Sequence, residues 1–283
     1  MMAEAFCPGH ITCFFRSARI PGDLLRSGSA GAGFCLDKGA LARAEDANGY
    51  ENTILFHGQE SEAPVTRRAL GILGCHGLRI DIRHQLPLSQ GMGMSAAGSI
   101  AACLAAAELC GLPRRSAFEA AHRAEIETGG GLGDVSALMG HGQSTRVSPG
   151  LPPYGEVRSR DWELELSLVV LGPKISTASI ILDPGVMGCI DECGGRCLDR
   201  YLAQPTLDRL FQLSNRFSHH CRLENEAVRG AMNIVRPFAR SGMAMLGNAI
   251  FMHGDLEAAE SALGMTGIRV HLDPQGARVT RKG

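Results

Sequence analysis

Aromatic side chains are scarce in this chain, with one Trp, three Tyr and ten Phe among 283 residues. Recognition of nucleic acid or sugar by stacked rings therefore has little to work with. An excess of one charge is missing too. The 28 Lys and Arg face 29 Asp and Glu, a formal charge of −1, so there is no basic footprint for a nucleic-acid backbone. No run of about 18 apolar residues is present, which leaves no segment able to span a membrane as a helix. The opening MMAEAFCPGH shows neither the basic nor the apolar stretch of a secretory leader, and none is expected. The ten cysteines form no Cys-x-x-Cys pair. Read as reduced and mostly buried thiols, they point to the cytoplasm. Glycine is the residue in excess: 36 of them, about twice the usual share, in no collagen period. They imply tight turns and close approaches of backbone to backbone.

Along the chain, AFCPGHITCFFRSA predicts a strand broken by a turn at Pro8-Gly9 and then a second apolar segment. Residues 24–58 predict a strand pair with turn signals at Gly31, Gly33, Asn48 and Gly49. In GLRIDIRHQ, Leu78, Ile80 and Ile82 alternate with Arg79, Asp81 and Arg83, the pattern of a half-buried strand. It runs into LPLSQGMGMSAAGSIAACLAAA, a glycine loop followed by a small-residue apolar helix from about Ala96 to Leu109. A second helix is expected from Ser116, with Ser116 and Glu119 as a capping box, ending at Thr128-Gly129-Gly130-Gly131. A short helix over Asp134–Met139 follows. The three prolines of SPGLPPYG, 148–155, mark an expected boundary between domains 1–148 and 149–283. Beyond it, strands alternate with helices in an α+β pattern. The chain ends in an expected strand pair turning at Pro274-Gln275-Gly276. Cys189, Cys193 and Cys197 are spaced by four, but Gly194 and Gly195 are expected to interrupt a helix there, and no metal set is completed.

The glycine loop carries the first chemical signal. A helix start offers free N–H groups and the positive end of the helix dipole, and Gly91 and Gly93 allow a phosphate to approach the backbone closely. No Lys-Ser/Thr pair follows, so the loop is not a Walker A sequence, and its spacing is not the dinucleotide fingerprint. Phosphoryl transfer also needs a divalent metal held by oxygens and a group facing the acceptor hydroxyl. Ser95 and Glu125 are the candidates for the metal, with Glu127 as competitor. Asp134 is either a helix cap or the acceptor-side carboxylate. His10 and Thr12 place an imidazole and a hydroxyl on the first strand.

In combination these motifs resemble the GHMP kinase superfamily. PGHITCFF is similar to its first motif, LPLSQGMGMSAAGS to its second and SGMAMLGNAIF to its third. Within the superfamily, PGHIT, GSAGAGFCL, AHRAEIETGGGLGDV and MLGN resemble the archaeal pantoate kinases. The resemblance implies an N-terminal half like domain 2 of ribosomal protein S5 and a ferredoxin-like C-terminal half. It also implies transfer of a phosphoryl group from ATP to the 4-hydroxyl of pantoate on the route to coenzyme A. By motif position, Pro87, Gly91, Gly93, Met94, Ser95, Ala96 and Ala97 would cradle ATP, and Ser95 and Glu125 would hold Mg²⁺. Asp134 and His10 would be catalytic, and His10, Thr12, Ser29, Gly31, Asp134 and Asn248 would meet the substrate. Relatives suggest a homodimer. Another small alcohol, or a non-catalytic nucleotide-binding role, are the alternatives. Three positions depart from the family pattern: Ala30 stands for an expected arginine, Cys13 for a glycine and Met94 for a serine. Without that arginine, Arg19 or Arg26 is left to pair with a substrate carboxylate.

Overall fold

The computed structural model describes residues 1–47, 49–129, 131–174 and 183–283. The expected turn residues Asn48 and Gly130 lie outside them. Two sheets organise the chain. In the first, β1 (Met2–Ala18) and β2 (Gly28–Asp46) form a long antiparallel pair. β5 (Leu78–His84) pairs with the second half of β2, and β6 (Gln143–Ser148) with its first half. β3 (Thr53–Phe56) and β4 (Gln59–Glu60) extend one edge, β7 (Glu156–Arg160) joins β6, and β12 (Arg278–Lys282) returns to β1. The second sheet has the order β11-β8-β10-β9, built from β8 (Glu165–Val170), β9 (Ala239–Met243), β10 (Ala249–Gly254) and β11 (Ile268–His271). All its neighbours are antiparallel. That order is the split βαβ arrangement of ferredoxin-like folds, as expected of this half.

Helices α1 (Pro64–Leu73), α2 (Met94–Leu109) and α3 (Arg114–Glu127) cover the first sheet, and a single turn, α4 (Asp134–Ala137), follows. α2 is buried on nearly every side, which explains a sequence apolar all round its axis. Its alanines let β1, β2, α1 and α3 all approach closely. Four helices accompany the second sheet: α5 (Pro184–Ala203), α6 (Leu207–His220), α7 (Glu226–Val235) and α8 (Leu256–Leu263). Aromatic contacts carry the core across both sheets. Phe34 of β2 lies 5.9 Å from Phe251 of β10, and Phe14 and Phe15 of β1 pack on Tyr201 and Phe217 at 5.9 and 5.6 Å. Among the described residues no helix is long and apolar enough to cross a membrane.

Several expectations are corrected. Pro8-Gly9 is no turn; β1 runs through it with a bulge, which accommodates a residue with no N–H to pair. Gly31 and Gly33 sit inside β2, where a Cβ would overlap the carbonyls of Phe14 and Ile11. They mark close approach, not a turn. The capping box fails because α3 starts earlier, behind Pro113, and Glu119 pairs with Arg115 at 2.6 Å. α2 starts at Met94, with Gly93 in the left-handed region as its cap. The proline-rich stretch is the connection of the β6–β7 hairpin, so the chain leaves the first sheet only after Arg160. The last two strands do not pair; β11 joins β8 and β12 joins β1.

Gly194 and Gly195 do not interrupt α5 either. At Gly194 the helix presses on β1, and a Cβ would overlap the Phe15 carbonyl. At Gly195 the nearest atom is Arg16 Cδ at 3.7 Å. Gly194→Val should therefore lower stability by about 2 kcal/mol through overpacking. Gly195→Ala should raise it by about 0.5 kcal/mol, because alanine loses less backbone entropy in a helix. Urea midpoints of the two variants check both signs.

Candidate active site

A cavity of about 250 Å³ lies where the two sheets meet. Its floor is β1 and the start of β2, its walls are the glycine loop and residues 131–134, and Met245 and Leu246 close it from the second sheet. The glycine loop is wedged into place by backbone contacts. Gly91 and Gly93 have φ of +75° and +63°. A Cβ on Gly91 would lie 2.5 Å from the Ala244 carbonyl oxygen, and one on Gly93 would lie 3.2 Å from the His10 amide. The His10 N–H donates to the Met92 carbonyl at 2.9 Å. Thus the loop is fixed on both sides while the first turn of α2, uncapped by any side chain, opens onto the cavity at Met94, Ser95 and Ala96. Free N–H groups and the dipole of a 16-residue helix make this an anion site.

Behind the loop, a polar latch ties it to the second sheet. Gln90 Oε1 accepts from the Asn248 N–H at 3.1 Å, and its Nε2 donates to the Gly172 carbonyl at 3.1 Å. Asn248 Nδ2 donates to the Pro173 carbonyl, and Asn248 Oδ1 accepts from Asn225 Nδ2 at 3.0 Å.

Three charged side chains converge on the cavity. Glu125, in the last turn of α3, is 4% exposed and its Oε2 has no partner. Burial, helped by the nearby Asp134 charge, pushes its carboxyl up to about 8. Asp134 opens α4 and is about one-third exposed, with Oδ1 3.1 Å from His10 Nδ1. Burial raises the Asp134 carboxyl, but the His10 hydrogen bond and the charge of Arg146 outweigh it and hold it below the usual carboxylate range. Burial keeps His10 below its ordinary value, despite the opposing pull of Asp134. The imidazole is therefore neutral at pH 7, with Nδ1–H donating to an ionised Asp134. Arg146, on β6, is the third. It is 2% exposed, and its Nη1 donates to Ser29 Oγ at 3.0 Å and to the Gly133 carbonyl at 2.8 Å. Nη2 donates to Thr12 Oγ1 at 3.4 Å. None of these partners is a carboxylate. A buried guanidinium stays charged and is costly without an anion.

The description "GHMP kinases N terminal domain" matches residues 63–142. A protein of Methanocaldococcus jannaschii named pantoate kinase is 30% identical over 91% of this chain and 95% of its own length. The chain belongs to the GHMP kinase family. A solved structure named as a phosphotransferase related to the CoA biosynthesis pathway superposes with a TM-score of 0.85, at 27% identity and 99% coverage of both chains. The fold alone is shared with mevalonate diphosphate decarboxylase of Staphylococcus aureus, at TM-score 0.73 and 10% identity over 99% of this chain and 98% of that one.

In this GHMP kinase the cavity brings together Thr12, Ser29, Gly91, Gly93, Met94, Ser95, Ala96, Glu125 and Asp134. Five expected residues fall outside its lining. Pro87 and Ala97 support the loop and the helix, Gly31 is consumed by contact with β1, and Asn248 belongs to the latch. His10 lies behind Asp134, its Nδ1 3.1 Å from Asp134 Oδ1. Asp134 is the first residue of α4, with Gly133 as the cap, so its side chain is free for other work. Glu127 points away and pairs with Arg68 at 2.6 Å.

Arg146 is the residue that sequence reasoning missed. QSTRVS carries no apolar alternation to mark its inward face, and the only signal was an arginine soon after the Asp134 turn. Arg146 lines the cavity, whereas Ala30 does not. That side chain is fully buried on the opposite face of β2 from Ser29, so it does not meet the cavity. Neither Arg19 nor Arg26 lines the cavity; Arg26 is exposed and sits over the Tyr154 ring at 4.9 Å.

Glu125 Oε2 is buried and unpaired, and Gly131 leaves room beside the carboxylate, since a Cβ there would lie 2.5 Å from Glu125 Oε1. Such a position fits a hard divalent cation that takes one or two carboxylates and otherwise phosphate and water. A carbon NMR titration of the unliganded protein should place the Glu125 midpoint near 8. A midpoint in the ordinary carboxylate range would refute the buried, unpaired state.

Proposed function

We propose that this GHMP kinase is an ATP-dependent pantoate kinase, transferring the γ-phosphoryl group to the 4-hydroxyl of pantoate. The observation that carries the reading is Arg146. Its buried charge, without a carboxylate partner, shares one cavity with the phosphate-binding helix start and with Asp134. A substrate that satisfies the site must bring both an anion and a hydroxyl, as a hydroxy acid does and a neutral sugar does not. A guanidinium also recognises a carboxylate in a two-pronged geometry. Phe15 and Leu132 add apolar surface to the lining, suited to the dimethyl carbon of pantoate. The full names of the relatives support the same substrate.

The roles divide by position. The first-turn N–H groups of α2 and the glycine backbone bind the ATP phosphates. Glu125 and Ser95 would hold Mg²⁺, which supplies charge neutralisation on the phosphates when bound. Arg146, steadied by Ser29, Thr12 and the Gly133 carbonyl, orients the substrate carboxylate. His10 holds Asp134 Oδ1, which leaves Oδ2 to accept the hydrogen bond of the acceptor hydroxyl. As the new O–P bond forms, the hydroxyl proton passes to Asp134 and ADP departs with the electrons of the broken bond. Because Asp134 is ionised at neutral pH, it is ready to take that proton.

Incubation with ATP, Mg²⁺ and a panel of hydroxy acids tests the substrate. 4-Phosphopantoate is the expected product; turnover of mevalonate or homoserine with pantoate inert would overturn the assignment. Arg146→Gln should raise KM for pantoate by roughly 100-fold, as expected for loss of a buried charged hydrogen-bond partner, with nucleotide affinity little changed. Asp134→Asn should lower kcat by about 100-fold or more while ATP still binds. Mg²⁺ with a non-hydrolysable ATP analogue should lower the Glu125 midpoint, so apparent Mg²⁺ affinity rises with pH until about 8 and then levels. Glu125→Gln should remove that dependence.

A further inference from the structure

The cysteines of α5 take no part in the cavity, yet they meet a fourth thiol. Cys221 caps the C-terminal end of α6, and its Sγ lies 3.5 Å from Cys189 Sγ on the second turn of α5. Cys189 Sγ also lies 3.7 Å from the His220 carbonyl oxygen, at the same helix end. Cys189 is half-buried, whereas Cys193, Cys197 and Cys221 are buried. Among the described residues no three His, Cys, Asp or Glu side chains are grouped to hold a metal ion. The thiols therefore offer a pair with one solvent-reachable member. The separation must close by about 1.5 Å to reach a disulfide bond of about 2.0 Å.

We propose that Cys189 and Cys221 are a site of covalent modification, a dithiol that hydrogen peroxide oxidises to a disulfide stapling α5 to α6. Cys189 sulfur attacks the peroxide, the O–O bond breaks, and a sulfenic acid and one water form. Cys221 sulfur then attacks the sulfenic sulfur, forming the S–S bond and releasing a second water. The two sulfurs together give up two electrons, the peroxide oxygens take them, and both thiol protons end in water.

The staple joins two helices that back the cavity floor. Asp191 of α5 accepts from the N–H and Oγ of Ser17 at 2.7 and 2.8 Å, and Gly194 lies against Phe15. Phe217 of α6 packs on the Phe15 ring. Closing the segment from 189 to 221 restricts the unfolded chain more than the folded one. The bridge thus holds α5 and α6 in register behind β1.

The test treats the full-length reduced protein with hydrogen peroxide and maps its peptides without reductant. A peptide pair joined through Cys189 and Cys221 is expected, with the thermal midpoint raised by about 5 °C and restored by dithiothreitol. Cys189→Ser, at the half-exposed position, should fold with the reduced wild-type midpoint and lose both cross-link and shift. Cys193→Ser should retain both. A cross-link through other cysteines, Cys189 recovered only as sulfinic acid, or a shift that survives Cys189→Ser would overturn the proposal.

Discussion

Between Cys7 and Phe15, β1 is met by backbone on nearly every side. Gly31, Gly33 and Gly39 of β2 face it with no room for a Cβ, Gly93 brings the phosphate loop against His10, and Gly194 brings α5 against Phe15. Because the contacts are main chain to main chain, their spacing is set by covalent geometry and not by adaptable side chains. Glycine abundance and cavity precision have the same origin here. The bulges at Pro8/Gly9 and Thr12/Phe14 then turn successive residues of β1 so that both Thr12 and Phe15 reach the cavity.

On that rigid strand the charges are balanced in a particular way. Ionised Asp134 faces buried Arg146, and Glu125, too deeply buried to ionise readily, keeps its proton at neutral pH. The side chains of the cavity are therefore close to neutral in sum. In the proposed reaction Glu125 would give up its proton on holding a divalent cation, and Arg146 would gain a directly bonded anion in the substrate carboxylate. Each ligand corrects a local imbalance left by the fold, a form of electrostatic preorganisation.

What the sequence made legible was what it encodes locally. The alternation of Leu78, Ile80 and Ile82 named β5, and the glycine loop leading into a small-residue helix named one wall of the cavity. The order of the motifs carried the family and both halves of the fold. The glycine misreadings share one cause: local signals with a nonlocal explanation. Gly31, Gly33 and Gly194 carry the residue type of turns and breaks, but each is there because another backbone passes close by. Ser116 and Glu119 satisfy a capping pattern that Pro113 pre-empts. Arg146 and the latch role of Asn248 depend on partners more than a hundred residues away in Thr12, Ser29 and Gln90, which no window along the chain contains.

The Gln90 latch has a mechanical consequence. Its amide grips Asn248 and Gly172, both at the end of the second sheet, while the neighbouring glycine rests on Ala244. The phosphate loop is thus a shared hinge plate, anchored to β1 on one side and to the second sheet on the other. Any rotation between the sheets must deform the loop, and any ligand that stiffens the loop must stiffen the angle between the sheets to the same degree. By thermodynamic reciprocity, whatever occupies the loop and the geometry of the cleft are coupled, each shifting the other by the same free energy.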